Sequence, residues 1–265
     1  MSRYAKRSLG QNYLVDANLQ HKIVEALGAG PEDEVLEIGP GRGALTRHLV
    51  GTVGRLVLVE LDDDHASALA DRFGARSDVE VIHGDILELD RARRLHDPED
   101  ALVVGNIPYN ITTPIVFHLL ERPRPRDIVL MVQDEVAQRM AAPAGTKAYG
   151  ALSVGVRTVA RVQRLFKVGR GAFRPVPGVD SAVVRITPIR PEPMDAAEEK
   201  DLRVLVRAAF QWRRKQLRRI LRDHPDLEIP EDRAEAATEA VGVKMETRPE
   251  RLEPEDFIAL SRALA

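Results

Sequence analysis

Four polar residues each close a short apolar run: Glu37 after Val35-Leu36, Glu60 after Leu56 to Val59, Asp85 after Val79 to Ile82, and Asn106 after Ala101 to Val104. Runs this short, rich in β-branched residues and separated by helix-length segments, read as parallel strands of βα units. Ligands of such sheets sit outside the carboxyl ends of the strands. The four polar side chains are therefore expected to converge on one crevice.

The glycine loop narrows the ligand. Glu37-Ile38-Gly39-Pro40-Gly41-Arg42-Gly43 runs G-x-G-x-G, not the G-x-G-x-x-G of a nicotinamide-dinucleotide site. A carboxylate at the loop mouth, two residues before the first glycine, repels pyrophosphate and suits a cationic nucleoside, which points to S-adenosylmethionine. Glu60, twenty-one residues after Gly39, is placed to accept both ribose hydroxyls, as the acid does in nucleotide folds generally. Asp85 can accept from an adenine exocyclic amine. The alternative, a structural turn with exposed acids, does not account for three acids in this order.

Asn106-Ile107-Pro108-Tyr109 directly follows the fourth strand. Methylating an exocyclic amine is hard because the nitrogen lone pair is delocalised into the base ring. Two acceptors, the Asn106 side-chain oxygen and the Ile107 carbonyl, would draw the amine toward tetrahedral geometry. Pro108 stiffens the turn and biases Ile107 toward extended backbone, and Tyr109 offers a face on which a flipped base stacks. Catalysis would come from positioning with electrostatic help from the two acceptors. No general base is needed before attack, since the lone pair is the nucleophile.

The elements that must hold these residues follow from the punctuation. A helix is expected over 16–28, capped by Asp16 and closed before Gly28. Strands and helices then alternate to about 141, with helical stretches at 41–50, 62–73, 113–120 and 134–141 and a fifth strand at 128–132. Extended segments within 162–189 predict an antiparallel pair at the sheet edge. Pro188, Pro191 and Pro193 mark a linker, beyond which helices are expected at 196–210, 211–222, 231–240 and 254–264. The division expected is a cofactor-binding domain over 1–190 and a helical domain over 191–265.

The chain has 265 residues, no cysteine and a net charge of -2. Disulfide and thiolate chemistry are excluded. The start lacks an apolar leader and no apolar stretch nears membrane-spanning length, so a cytoplasmic chain without a membrane partner is expected, as a monomer. The seven histidines lack metal-ligand spacing, so no metal is expected.

The near-neutral average conceals segregation. Arg157, Arg161, Arg164, Lys167, Arg170 and Arg174 occupy a stretch without acids, and so do Arg203, Arg207, Arg213, Arg214, Lys215, Arg218, Arg219 and Arg222. Solvated helix faces normally mix signs, whereas clustered cations suit a polyphosphate backbone. The tracts 157–174 and 203–222 are therefore expected to contact nucleic acid. Trp212, inside the second, either stacks on a base or anchors the small domain, the anchor being favoured.

Gly10-Gln11-Asn12-Tyr13-Leu14, Glu37 to Gly41, Asn106 to Asn110 and Phe173 to Ser181 resemble the ribosomal RNA adenine N6-dimethyltransferases. Ala209 to Arg218 and Arg248 to Phe257 are similar to the bacterial small-subunit branch. The resemblance spans nearly the whole chain and implies a Rossmann-like class I S-adenosylmethionine-dependent methyltransferase sheet, α/β, with a small all-helical C-terminal domain. It implies two methyl transfers to N6 of each of two adjacent adenines near the 3′ end of 16S rRNA, within a 30S subunit late in assembly. Cofactor contacts implied by it fall on Asn12, Leu14, Gly39, Glu60, Asp85 and Asn106, and base stacking on Tyr109 and Phe173. The motif reading adds Glu37 and Gly41 to the cofactor set.

Tyr13 and Ile107 replace the usual Phe and Leu, preserving shape and the backbone carbonyl. Ile107 and Tyr149 to Ser153 also occur in the sister branch that methylates 23S rRNA and confers macrolide resistance, so branch identity rests on the C-terminal domain. A non-catalytic assembly factor of the same fold and a DNA or small-molecule amine methyltransferase are the remaining readings. Lys6 and Arg7 suggest an N-terminal arm that orders over RNA.

Overall fold

The computed structural model describes residues 12–265. Gly10, Gln11 and the arm with Lys6 and Arg7 lie outside them. Among the described residues there are nine strands: β1 (Tyr13–Leu14), β2 (Glu34–Ile38), β3 (Arg55–Glu60), β4 (Val79–His83), β5 (Leu102–Asn106), β6 (Asp127–Gln133), β7 (Ala160–Val168), β8 (Phe173–Arg174) and β9 (Ser181–Pro188). Seven form one sheet in the order β4-β3-β2-β5-β6-β9-β7, while β1 and β8 pair apart from it. From β4 to β6 every pairing is parallel, and β9 runs antiparallel to β6. The five parallel strands and the antiparallel addition are those the apolar runs predict.

Residues through Ala137 together with Gln163–Pro188 form one compact unit, and Gln138–Val162 with Ile189–Ala265 form another. In the first, the central strands are rich in Val, Leu and Ile and buried on both faces, as parallel sheets require. Leu36, Val57, Leu58, Val103 and Val104 have no more than traces of exposed surface. Helix Ala17–Leu27 starts where Asp16 accepts from the Leu19 N–H at 3.1 Å and ends at Gly28 with φ 69°. Helix Asp63–Phe73 is capped by Asp62.

Three expectations need correction. The helix expected over 41–50 shrinks to Thr46–Leu49, because Gly39, Gly41 and Gly43 all take positive φ and keep the preceding segment in turns. The helix expected over 211–222 begins only at Leu217. Against the single boundary expected near 190, residues 138–162 cluster with the C-terminal helices. Tyr149 Oη donates to the Leu252 carbonyl at 2.6 Å and the Gly145 N–H to the Glu250 carbonyl at 2.7 Å. A helix at Ala151–Arg157 packs against Ala196–Gln211 and Pro254–Leu264. Tyr149 and Leu252 lie 103 residues apart in sequence, and local punctuation does not reveal such partners.

Candidate active site at the carboxyl ends of the parallel strands

Strand order reverses between β2 and β5: β3 and β4 continue to one side, β5 and β6 to the other. A crevice opens at such a switch point. Here it is a cavity of about 470 Å³ lined by Asn12, Leu14, Glu37, Gly39, Gly41, Glu60, Asp85, Asn106, Ile107, Pro108 and Tyr109. Every expected site residue therefore borders one space, except Phe173. That side chain is fully buried, joining Leu14, Met131 and Val183 in the apolar core. The stacking role assigned to it is corrected: the short β1–β8 ladder, with Leu14 opposite Phe173, carries the ring into the core.

The floor is built by close approach. Gly105 on β5 lies opposite Ile38 on β2, and a Cβ there would stand 2.8 Å from the Ile38 carbonyl oxygen. Glycine lets β5 seat deeply enough for Asn106 to emerge beside the glycine loop. One Nδ2 proton of Asn106 goes to the Asn12 carbonyl at 2.9 Å. That bond fixes the amide's rotation and leaves Oδ1 as its acceptor.

Glu60 is almost fully buried and held at both oxygens: Oε2 accepts from the Gly41 N–H and Oε1 from the Asp62 N–H, each at 2.8 Å. Each oxygen keeps a lone pair for a ligand hydroxyl. Asp85 accepts the Leu87 N–H through Oδ1 at 2.9 Å, leaving Oδ2 for a ligand amine. These donor sets fit S-adenosylmethionine: acceptors for a ribose diol and an adenine amine, in a space of suitable size for a nucleoside.

Glu37 borders the cavity but, unlike the open carboxylate expected at the loop mouth, is still on β2 and buried. It is 1% exposed, and its Oε2 accepts from Thr46 Oγ1 at 2.7 Å. Burial pushes its carboxyl up to about 7, against the lowering effect of the Thr46 hydrogen bonds and with a further rise from Glu60. Its proton is held more tightly in the folded chain than in the unfolded one, so its contribution to stability falls as pH rises from the ordinary glutamate range through about 7. A bound cation favours the carboxylate and reverses the preference. We expect affinity for S-adenosylmethionine to rise with pH up to about 7 and then level off. Thr46→Val should move that midpoint upward and Glu37→Gln should flatten it. Calorimetric titration across pH checks this, and a pH-independent wild-type affinity contradicts it.

Further side chains shape the site. Tyr13 Oη meets His65 Nε2 at 2.8 Å while Arg42 lies over its ring at 4.3 Å. The hydroxyl that distinguishes Tyr13 from the usual Phe therefore has a partner. Gln20 Nε2 donates to the Leu14 carbonyl at 2.9 Å, tying the residue-12 segment over the cavity. Thr46 reads in the sequence only as an ordinary hydroxyl residue, and Ser181 only as the last residue of the Phe173 to Ser181 motif. Among the described residues, Asp62, Asp63 and Asp64 form the one group of three metal-capable side chains, at the start of a helix that acids favour.

The basic tracts are less bare than their sequence suggests. In the second unit, Arg207 pairs with Asp226 at 2.9 Å, Arg213 with Glu250 at 3.0 Å, Arg218 with Glu231 and Glu235, and Arg222 with Asp223 at 2.7 Å. Acids from beyond residue 222 thus pair with much of 203–222. Arg214 and Lys215 remain exposed and without acidic partners among the described residues. They border a small cavity with Trp212, which is half-buried with its ring centroid 4.9 Å from that of His224. In the first unit, Arg164 pairs with Asp134 and Lys167 with Asp180.

A family model described as Ribosomal RNA adenine dimethylase matches residues 3–265. The Ribosomal RNA small subunit methyltransferase A of Pseudomonas aeruginosa is 44% identical over 262 residues, covering 98% of this chain and 95% of that protein. A solved dimethyladenosine transferase from Plasmodium falciparum aligns with TM-score 0.81 at 27% identity, over 93% of this chain and 95% of that one. The 23S rRNA methyltransferase ErmE aligns with TM-score 0.73 at 28% identity, over 96% and 99%. The fold is the Rossmann-like class I methyltransferase sheet that the apolar runs and glycine loop lead one to expect.

Proposed function

The chain belongs to the ribosomal RNA adenine dimethylase family, and from that premise we propose that it dimethylates N6 of two adjacent adenines near the 3′ end of 16S rRNA, acting on the 30S subunit. It is an S-adenosylmethionine-dependent methyltransferase with a ribosomal RNA substrate. The observation that carries the site reading is the Asn106 amide, whose Nδ2 donates to the Asn12 carbonyl and leaves Oδ1 as an acceptor on a residue that borders the cavity with Ile107.

S-adenosylmethionine, when bound, supplies an electrophilic methyl on a sulfonium. Glu60 would hold the ribose hydroxyls and Asp85 the adenine amine, and the Glu37 carboxylate would favour the cationic end. Gly39 and Gly41 allow close backbone approach, and Leu14 closes the apolar side. Asn106 Oδ1 and the Ile107 carbonyl accept the two N–H groups of the target adenine, drawing its nitrogen out of conjugation. Pro108, at φ -60°, keeps that carbonyl in place. Tyr109 stacks on the flipped base, and the surplus proton leaves after methyl transfer.

The small-subunit assignment is supported by 44% identity to a small-subunit enzyme against 28% to a 23S enzyme. Arg214 and Lys215 in the second unit are exposed cations that can meet phosphates, as are Arg161 and Arg170 from the first tract. Among the described residues no helix is long and apolar enough to cross a membrane.

Incubation with methyl-labelled S-adenosylmethionine and 30S subunits from an unmethylated strain tests the reading. Label should appear as N6,N6-dimethyladenosine in 16S rRNA. The double variant Arg214→Glu with Lys215→Glu should bind subunits more weakly, with a log–log salt slope shallower by about 2. Label confined to naked 23S RNA would move the chain to the sister branch. No label in either RNA would leave an assembly factor that keeps the fold without the reaction.

A further inference from the structure

Ser181 opens β9, where it lies opposite Gln133 at the end of β6. Its side chain is fully buried, and Oγ is 2.5 Å from Tyr109 Oη, seventy-two residues away in sequence. The step that carries Ser181 is clamped: the Asp180 carbonyl accepts the Asp134 N–H at 3.0 Å, and its carboxylate holds Lys167 at 2.7 Å and accepts the Arg170 N–H at 3.2 Å. Tyr109 stands on the opposite kind of support, a single 3-10 turn whose N-cap has no side-chain bond. The short turn alone leaves its ring free to choose among rotamers. The Ser181 hydroxyl is the fixed post that selects one.

We propose that Ser181 is a positioning residue for the methyl-transfer reaction: its hydroxyl fixes the Tyr109 ring so that the stacked adenine presents N6 to Asn106. The proposal rests on the stacking role given to Tyr109 above. Ser181 touches neither substrate nor cofactor and acts through the ring. The bond also explains why a tyrosine occupies a stacking position where the face alone would ask only for a phenylalanine. Burial raises the Tyr109 phenol, and Ser181 partly offsets this; the phenol therefore stays protonated and can donate at neutral pH.

A double-mutant cycle of Ser181→Ala and Tyr109→Phe, with Tyr109→Ala as reference, tests this. Each of the first two removes one end of the same bond and keeps the ring. Each should lower kcat roughly tenfold, the effect of one orienting hydrogen bond, with KM for RNA and affinity for S-adenosylmethionine within about twofold. The double variant should be no slower than either single one. Tyr109→Phe keeps the question answerable if Ser181→Ala does not fold. If Tyr109→Ala leaves turnover intact, the stacking role itself fails. If Tyr109→Ala is slow while Tyr109→Phe matches wild type, or if the two losses multiply, stacking stands and the Ser181 proposal is overturned.

Discussion

Asn106→Ala should lower methyl transfer by on the order of 10²–10³-fold, the scale for removing one preorganised group that acts on developing charge. The side chain has two tasks in this geometry. Oδ1 accepts from the target amine, and Nδ2 ties β5 to the Asn12 carbonyl at 2.9 Å. Asn106→Asp separates them: a carboxylate can accept from the amine but cannot donate to Asn12, and it brings a second negative oxygen against that carbonyl. It should be as slow as the alanine variant, while RNA affinity stays within a few-fold in both. Single-turnover rates with 30S subunits in excess check this. Turnover retained in Asn106→Ala would remove the residue from the mechanism.

Glu60→Ala should weaken S-adenosylmethionine binding by about 10²-fold or more, since hydrogen bonds to a charged group are worth about 1.5–3 kcal/mol each. Loss of the carboxylate removes the ribose acceptor and also orphans the Gly41 and Asp62 N–H groups that point at it. The second of these begins the cap of helix Asp63–Phe73. Glutamine is not a conservative replacement, because its NH₂ must face one of two backbone donors. Both variants should therefore lose affinity, with alanine also lowering the melting temperature. Calorimetric titration and a thermal melt read the two effects separately, and wild-type affinity in Glu60→Ala would refute the ribose contact.

The parallel sheet was legible because each of its strands is a short Val, Leu and Ile run, and the polar residue after each run marks the strand's carboxyl end. Glu60, Asp85 and Asn106 needed nothing more, since the fold brings strand ends together. Phe173 and Glu37 were placed in the right neighbourhood with the wrong exposure. Phe173 sits on a two-residue strand, too short for an alternation pattern to tell inside from outside. Glu37 reads as a loop residue, although it is still on β2 and buried against Thr46. The pairing of 203–222 with acids was invisible for another reason: Glu231, Glu235 and Glu250 reach Arg218 and Arg213 only through tertiary packing. Tyr109 and Ser181 belong to separate motifs, and no local spacing links them.

Equilibrium titration of S-adenosylmethionine into the purified chain tests the pocket most directly. One saturable site per chain is expected, with affinity increasing toward neutral pH and collapsing in Glu60→Ala. Absence of saturable binding, or binding indifferent to Glu60, would contradict the assignment of this cavity to the methyl donor.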